Sequence, residues 1–251
     1  MRLGVGTPAR SIAGEAYVRA LEASASARLE RQVFQRVALL LAGARSNIFD
    51  FGSGPGLDAR VYAEQGHSVA AFDTDPEMRE YFSGYCGDLI EQGRVVQHVG
   101  GYDDFLAGEP KGWADLITSN FAPLNLVGEL RPLFRRFHEL SRGRALVLAS
   151  VLNPTCASDI RYGWWWRGIG RYVREGEFHL EGNHGWIHRR SVQAIGGAAS
   201  PFFRVLGAIP NVRHVLKNAE NYRRRLGSAT AWRPMVCRYK LVVLERLPHS
   251  P

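Results

Sequence analysis

Between residues 47 and 151 the hydrophobic period of the chain switches repeatedly, and this constrains the fold more than any other feature. Five short apolar runs, Asn47–Phe51, Ser68–Phe72, Val95–Val99, Ala114–Ser119 and Ala145–Val151, read as strands. Stretches of helical length separate them at Leu57–Gln65, Pro76–Tyr81 and Leu126–Leu140. Strands that are apolar on both faces belong to a parallel sheet with helices on each side. The order predicts an α/β fold.

The flanks read differently. From Ile12 to Leu41 the residues Tyr17, Leu21, Leu29, Val33, Val37, Leu40 and Leu41 recur at helical spacing, with a bend near Ser24–Ser26. Residues 12–44 are therefore expected to form an N-terminal helical cap on a core at 45–151. After Val151 the alternation stops. Asn153–Arg190 holds seven aromatic residues and no clean period, so residues 152–190 read as an insertion. A helix at Ser191–Ala199, a strand at Phe203–Ile209, a basic helix at Val212–Leu226 and a strand at Val236–Arg246 then close the chain as a strand–helix–strand unit within 191–251. A chain of 251 residues buries roughly three quarters of its unfolded surface, so one domain spanning 1–251 is expected.

Composition removes several classes. With 45% hydrophobic residues, dispersed glycine and ordinary proline, the chain is neither collagen-like, coiled coil nor disordered. Cys86, Cys156 and Cys237 are far apart, which favours a reducing compartment. Met1–Ala13 lacks a signal-peptide core, and apolar runs such as Val37–Ala42 fall far short of the roughly 20 residues of a membrane helix. A cytoplasmic protein with no membrane span is expected. The net charge of +8 is localised: residues 203–251 carry 10 Lys and Arg against 2 acidic residues, and the remainder balances to zero. An anionic substrate, an acidic partner, nucleic acid or a membrane surface would each fit such an excess.

The chemistry is concentrated after the first strand. It runs into Asp50-Phe51-Gly52-Ser53-Gly54-Pro55-Gly56, and a helix opens directly behind. Alternate glycines let the backbone turn and approach a ligand, and the helix N-terminus offers unpaired N–H groups. The second strand ends at Asp73, where a carboxylate can take both hydroxyls of a ribose. A dinucleotide fingerprint would need glycine where Leu57 stands, and Asp50 would sit poorly beside a pyrophosphate. An acid before the loop suits a ligand that bears an ammonium group.

The pattern of an acid followed by Gly-x-Gly-x-Gly resembles the first motif of class I S-adenosylmethionine-dependent methyltransferases. Phe72-Asp73-Thr74-Asp75-Pro76-Glu77-Met78 resembles their second motif, and Trp113-Ala114-Asp115-Leu116-Ile117-Thr118-Ser119-Asn120 their fourth strand. Ser119-Asn120-Phe121 followed by Leu124-Asn125 is most similar to bacterial enzymes that methylate small molecules. The resemblance covers residues 45–151. It implies a Rossmann-like, seven-stranded, mostly parallel sheet with only the seventh strand reversed, and S-adenosyl-L-methionine as cofactor.

Residue by residue, the resemblance implies that Gly52, Ser53, Gly54 and Gly56 line the methionine and ribose side, with Asp50 behind them. It implies that Asp73 binds the ribose, that Thr74 and Met78 flank the adenine, and that Gly101, Tyr102 and Asp103 lie at its edge, Gly101 standing where the family has an acid. Asn120 and Phe121 fall near the methionine portion, and Tyr17 matches a position that covers the cofactor. Asn120 fits a helix cap as well, and Tyr17 fits a packed helical aromatic.

The insertion and the basic helix both leave the carboxyl end of the sheet in such a fold, where ligands bind. They would frame an acceptor site as an aromatic-rich lid and a cationic wall. In Tyr162–Arg174 the run Trp164-Trp165-Trp166 cannot face one core entirely. Tyr162, Trp165, Trp166, His188, Arg213 and Lys217 are the candidate acceptor contacts; a packed cap and a solvated basic face are the plain alternatives. A small, aromatic or hydrophobic acceptor, anionic or borne on an acidic carrier protein, fits best. Methyltransferases of base amino groups carry Asn/Asp-Pro-Pro-Tyr/Phe where this chain has Asn120-Phe121-Ala122-Pro123, so nucleic acid is the second reading and a non-catalytic interaction protein the third. An oxygen or nitrogen acceptor must shed a proton, and His184 is the candidate base. The spacing of His179, His184 and His188 is no metal signature, and no metal is expected.

Overall fold

The structure, a computed structural model, describes residues 14–109, 112–182, 185–211 and 237–248. The cap is two helices, α1 (Gly14–Ala23) and α2 (Ala25–Ala42). They break at Ser24, whose hydroxyl accepts from the Ala27 N–H and caps α2. The core then alternates as β1 (Asn47–Phe51), α3 (Leu57–Glu64), β2 (Ser68–Phe72), α4 (Pro76–Tyr85), α5 (Gly87–Glu91), β3 (Val95–His98), α6 (Tyr102–Ala107), β4 (Ala114–Ser119), α7 (Leu130–Leu140) and β5 (Ser141–Leu152). The insertion forms α8 (Gly163–Glu175) and a hairpin, β6 (Glu177–Gly182) and β7 (Gly185–Arg190). α9 (Val192–Ala199), β8 (Phe203–Pro210) and β9 (Tyr239–Arg246) complete the described elements.

Seven strands form one sheet in the order β3-β2-β1-β4-β5-β9-β8, with β9 antiparallel to both its neighbours and the rest parallel. The Rossmann-like sheet with a reversed last strand agrees with the expectation. Its strands are apolar on both faces because side chains alternate between two cores. Phe49, Phe51, Phe72, Val147 and Val242 pack with Phe105, Phe134, Phe137 and Ile195 on the α6–α7–α9 side. Ile48, Val69, Leu116, Leu148 and Leu241 pack with Val33, Phe34, Val37, Tyr62 and Phe82 on the α2–α3–α4 side.

Several boundaries differ from the sequence reading; α4 runs on to Tyr85 and β9 begins only at Tyr239. The helix expected from Leu126 begins at Leu130, because Pro123–Asn125 closes a short 3-10 turn first. β5 begins at Ser141 although Ser-Arg-Gly-Arg carries no apolar signal. The insertion, which shows no clean period in the sequence, forms a helix and a hairpin, with His188 on β7 just before α9. The basic helix at 212–226, with Arg213 and Lys217, lies outside the described residues. Within them, no helix is long and apolar enough to cross a membrane.

Candidate functional site

The strand order reverses between β1 and β4: β1 leads away to β2, and β4 leads the other way to β5. Loops at the carboxyl ends of two such strands diverge and leave a crevice, the ligand position of open α/β sheets. Gly52–Gly56 leaves β1 on one side of this point, and Asn120–Phe121 leaves β4 on the other.

Backbone geometry explains the glycine spacing. The loop turns back at once, with Gly52 and Ser53 N–H both donating to the Phe72 carbonyl. Gly54 has φ +53°, and a Cβ there would meet nothing within 4 Å, so its surface opens on free space. Gly56, at φ +87°, packs so tightly that a Cβ would lie 2.7 Å from the Phe82 ring and 2.9 Å from Cys86 Sγ. One glycine holds the helix start against its support, and the other keeps the ligand side clear.

Asp73 lies beside that opening. Its Oδ2 accepts from the Gly54 N–H at 2.7 Å and its Oδ1 from the Asp75 N–H at 2.9 Å, so both oxygens are aimed by backbone. Burial pushes this carboxyl above the usual range, and the two N–H donors pull it back. Thr74 follows, and Met78 sits in the first turn of α4, capped by Asp75 Oδ1. Arg79 Nη1 donates to the carbonyls of Asp73, Thr74 and Gly100, joining the β2 and β3 loops. Gly101 caps α6, which begins with Tyr102 and Asp103.

Behind the glycine loop lies a buried polar cluster that the sequence reading identified at Asp50, Asn120, Phe121 and Tyr17 but not at Arg31, Gln35 or Asp58. Thr118 Oγ1 donates to Asp50 Oδ1 at 2.8 Å across β1 and β4, and Asp50 Oδ2 has no hydrogen-bond partner among the described residues. Burial, reinforced by the nearby Asp58 charge, holds the Asp50 carboxyl protonated up to about pH 8. Asp58, in the first turn of α3, accepts from Asn120 Nδ2 at 2.9 Å and Gln35 Nε2 at 2.8 Å, and pairs with Arg31 at 2.8 Å. The Arg31 guanidinium lies 4.9 Å over the Phe121 ring. Asn120 Oδ1 in turn accepts the Phe121 N–H at 2.9 Å. Phe121 and Ala122 take φ of +57° and +70°, a left-handed pair of non-glycine residues held by this network. Tyr17 is close enough to feel the charges of Arg31, Asp58 and Asp73, and burial raises its phenol. The cap thus reaches the crevice through Tyr17, Arg31 and Gln35. Asp58, two residues beyond Gly56, was the one signal in the sequence; Arg31 and Gln35 gave none.

The opposite wall is apolar. Ala122, Leu152 and Tyr239 form a small buried cluster with Phe121 and Ile187 packed on it, Phe121 and Tyr239 meeting edge to face at 5.6 Å. Asn125 fastens the insertion here, donating from Nδ2 to the His188 carbonyl at 2.5 Å and accepting the Leu152 N–H. Of the expected acceptor contacts, half-buried Trp165 packs on Phe178 and donates to the Pro154 carbonyl, and Trp164 and Tyr172 pack on the same Phe178 ring. Tyr162 is 45% exposed and Trp166 61%, so at least one tryptophan does face outward. His188 Nδ1 lies 2.6 Å from Glu177 Oε1, and burial lowers its imidazole pKa. His184, the expected base, lies outside the described residues, as do Arg213 and Lys217. A cavity of about 530 Å³ against Phe49, Phe72, Phe105 and Trp113 includes none of the loop residues above.

A sequence model described as a methyltransferase domain matches residues 25–192, about two thirds of the chain. No curated protein sequence matches. Among solved structures, an S-adenosylmethionine-dependent methyltransferase from Mesorhizobium loti superposes with a TM-score of 0.59 at 22% identity, over 90% of this chain and 100% of that one. The 1,6-didemethyltoxoflavin-N1-methyltransferase of Burkholderia thailandensis, solved with 1,6-didemethyltoxoflavin and S-adenosylhomocysteine, gives 0.56 at 13% identity over 99% of each chain. The geranyl diphosphate C-methyltransferase of Streptomyces coelicolor gives 0.54 at 18%, over 96% of this chain and 83% of that one. At these identities the likeness is one of fold.

Proposed function

The chain belongs to the methyltransferase-domain family, and we propose that it moves the methyl group of S-adenosyl-L-methionine to an oxygen or nitrogen of a small, aromatic or hydrophobic acceptor. The observation that carries the donor is the open face of Gly54 beside the aimed Asp73 carboxylate. The electrostatics agree with it. Asp50 keeps its proton and Asp58 is paired with Arg31, so Asp73, with Arg79 nearby, is the carboxylate that faces the opening. A cationic donor beside it would favour ionisation of the buried Asp50 as well.

When bound, the donor supplies a methyl that is already activated, so the protein's part is to position, cover and exclude water. In our reading Asp73 accepts the ribose hydroxyls and Thr74 and Met78 flank the adenine. Gly101, Tyr102 and Asp103 border its edge, while Gly52, Ser53, Gly56 and Asn120 shape the methionine side. Tyr17 closes over them. Alignment of this kind is worth up to roughly 7–11 kcal/mol of barrier. Phe121, Tyr239 and Ile187 form the apolar wall the acceptor would meet first, with Tyr162 and Trp166 as outer contacts. Trp165 and His188 make contacts within the insertion and, in our reading, serve the acceptor by holding that insertion in place. Arg213 and Lys217 are our candidates for an anionic end of the acceptor or its carrier, and His184 for the proton acceptor.

The direct test incubates the protein with methyl-labelled donor and fractionated small-molecule extracts, and identifies labelled products by mass. We expect one labelled small molecule. With that acceptor, His184→Gln should lower kcat by about 10²-fold or more and leave binding of S-adenosylhomocysteine intact. Label appearing only in RNA would replace the acceptor class. No label in any fraction, from protein that binds S-adenosylhomocysteine, would overturn the transfer itself.

A further inference from the structure

The hairpin of the insertion brings three metal-ligating side chains onto one face. His179 on β6 stands directly opposite His188 on β7 in the antiparallel register, and their rings lie 4.6 Å apart. Glu177 is two residues before His179 and so projects from the same face of β6. Its Oε1 lies 3.0 Å from His179 Nε2 and 2.6 Å from His188 Nδ1. One ligand atom from each residue falls within 4.8 Å of the others. Imidazole nitrogen and carboxylate oxygen bind zinc at about 2.0–2.2 Å, which sets tetrahedral corners about 3.3 Å apart. The separations of 2.6 and 3.0 Å and the 4.8 Å bound bracket that spacing, so side-chain adjustment alone would bring the three atoms around an ion.

From this geometry we propose that Glu177, His179 and His188 form a binding site for a divalent transition-metal ion. Two imidazoles and one carboxylate suit zinc, nickel or iron(II), and not magnesium or calcium, which take oxygen ligands. In the described structure both imidazoles contact the same carboxylate oxygen; an ion at the centre takes the place of those contacts. Three protein ligands leave a further position for water or an exogenous group. The surroundings supply orientation. Arg190 lies 3.2 Å from Glu177 Oε1 and is itself fixed by the carbonyls of Leu124 and Gly128, so it aims the carboxylate. Arg171 Nη1 lies 2.7 Å from His179 Nδ1. Ligation through Nε2 puts the ring proton on Nδ1, and Arg171 then turns to Glu175, already 3.5 Å from its Nε. These two guanidinium groups beside the ion make the site weaker than a closed structural zinc centre. The ligands escaped the sequence reading because a strand pairing, and not a spacing along the chain, brings His179 to His188.

The test is calorimetric titration of the tag-free full chain with zinc chloride, and with cobalt(II) followed by absorption. We expect one ion per chain, displaced by a chelator, and a tenfold or larger loss of affinity in each of His179→Ala and His188→Ala. Glu177→Gln, which keeps the shape, should weaken binding similarly. Binding of S-adenosylhomocysteine and the circular dichroism spectrum of each variant establish that it is folded. Because the site does not rest on the donor reading, those two results fail or hold separately. Absence of stoichiometric binding by the wild type, or binding undiminished in both histidine variants, would overturn the proposal.

Discussion

Asp50 stands on the central strand with one carboxylate oxygen bonded to Thr118 and the other buried without a partner among the described residues. Unfolded, such a group ionises near pH 3.9; folded, it keeps its proton to about pH 8 because burial and Asp58 disfavour the charge. Folding therefore takes up a proton between these values. The group's stabilising contribution is complete below the unfolded pKa and is lost as pH rises through about 8. Asp50→Asn keeps the neutral shape at every pH. It should melt with the wild type at about pH 4 and increasingly above it as pH rises, the gap levelling off beyond about pH 8. Thermal unfolding across pH 5–9 checks this; a pH-independent offset would contradict it. At this scale the sequence was legible where spacing along the chain carries the meaning: Asp50, the three glycines and Asp73. It was illegible where distant side chains meet. Arg31 pairs with Asp58 across 27 positions and covers Phe121 across 90, and Tyr239 reaches Phe121 only through the pairing of β9 with β5.

Among the elements, the insertion owes its form to one residue. Phe178 on β6 is 1% exposed, enclosed by Trp164, Trp165 and Tyr172 of α8, and Gly168 passes so close that a Cβ would lie 2.5 Å from its ring. Arg189 lies 4.9 Å over Trp164 and also pairs with Asp159, tying β7 into the same unit. Phe178→Ala should therefore destabilise this unit by about 3–5 kcal/mol, while Val173→Ala, at a 76% exposed position of α8, should change stability by less than about 0.5 kcal/mol. Hydrogen exchange of α8 and β6 measures both; equal protection in the two variants would refute the arrangement. The hairpin had a signal in the sequence. Glu177, His179 and Glu181 alternate with Phe178 and Leu180 over five residues, a period of two obscured by the aromatic crowding before it. α5 and α6, with 5 and 6 residues, are too short to show any period. β5 extends four residues before its first apolar one because its pairing with β4, shifted between Ala114 and Leu116, supplies what its side chains do not.

For the molecule as a whole, the topology sets what can meet. β8 and β5 both run toward the glycine-loop end of the sheet, and β9 returns from it. The insertion, Asn211 and Cys237 therefore belong to that end. The described part of residues 203–251 keeps some of its charge in the sheet: Glu245 is held between Arg144 and Arg204. Arg213, Lys217 and Arg223–Arg225, the bulk of the excess, lie outside the described residues, so the charge bears on the acceptor only through its position in the sequence. The donor claim is more directly exposed to test. Calorimetric titration with S-adenosylhomocysteine should give one binding event per chain, weakened at least tenfold in Asp73→Ala, whose circular dichroism should match the wild type. Absence of binding by the wild type, or an affinity that Asp73→Ala leaves unchanged, would contradict the account.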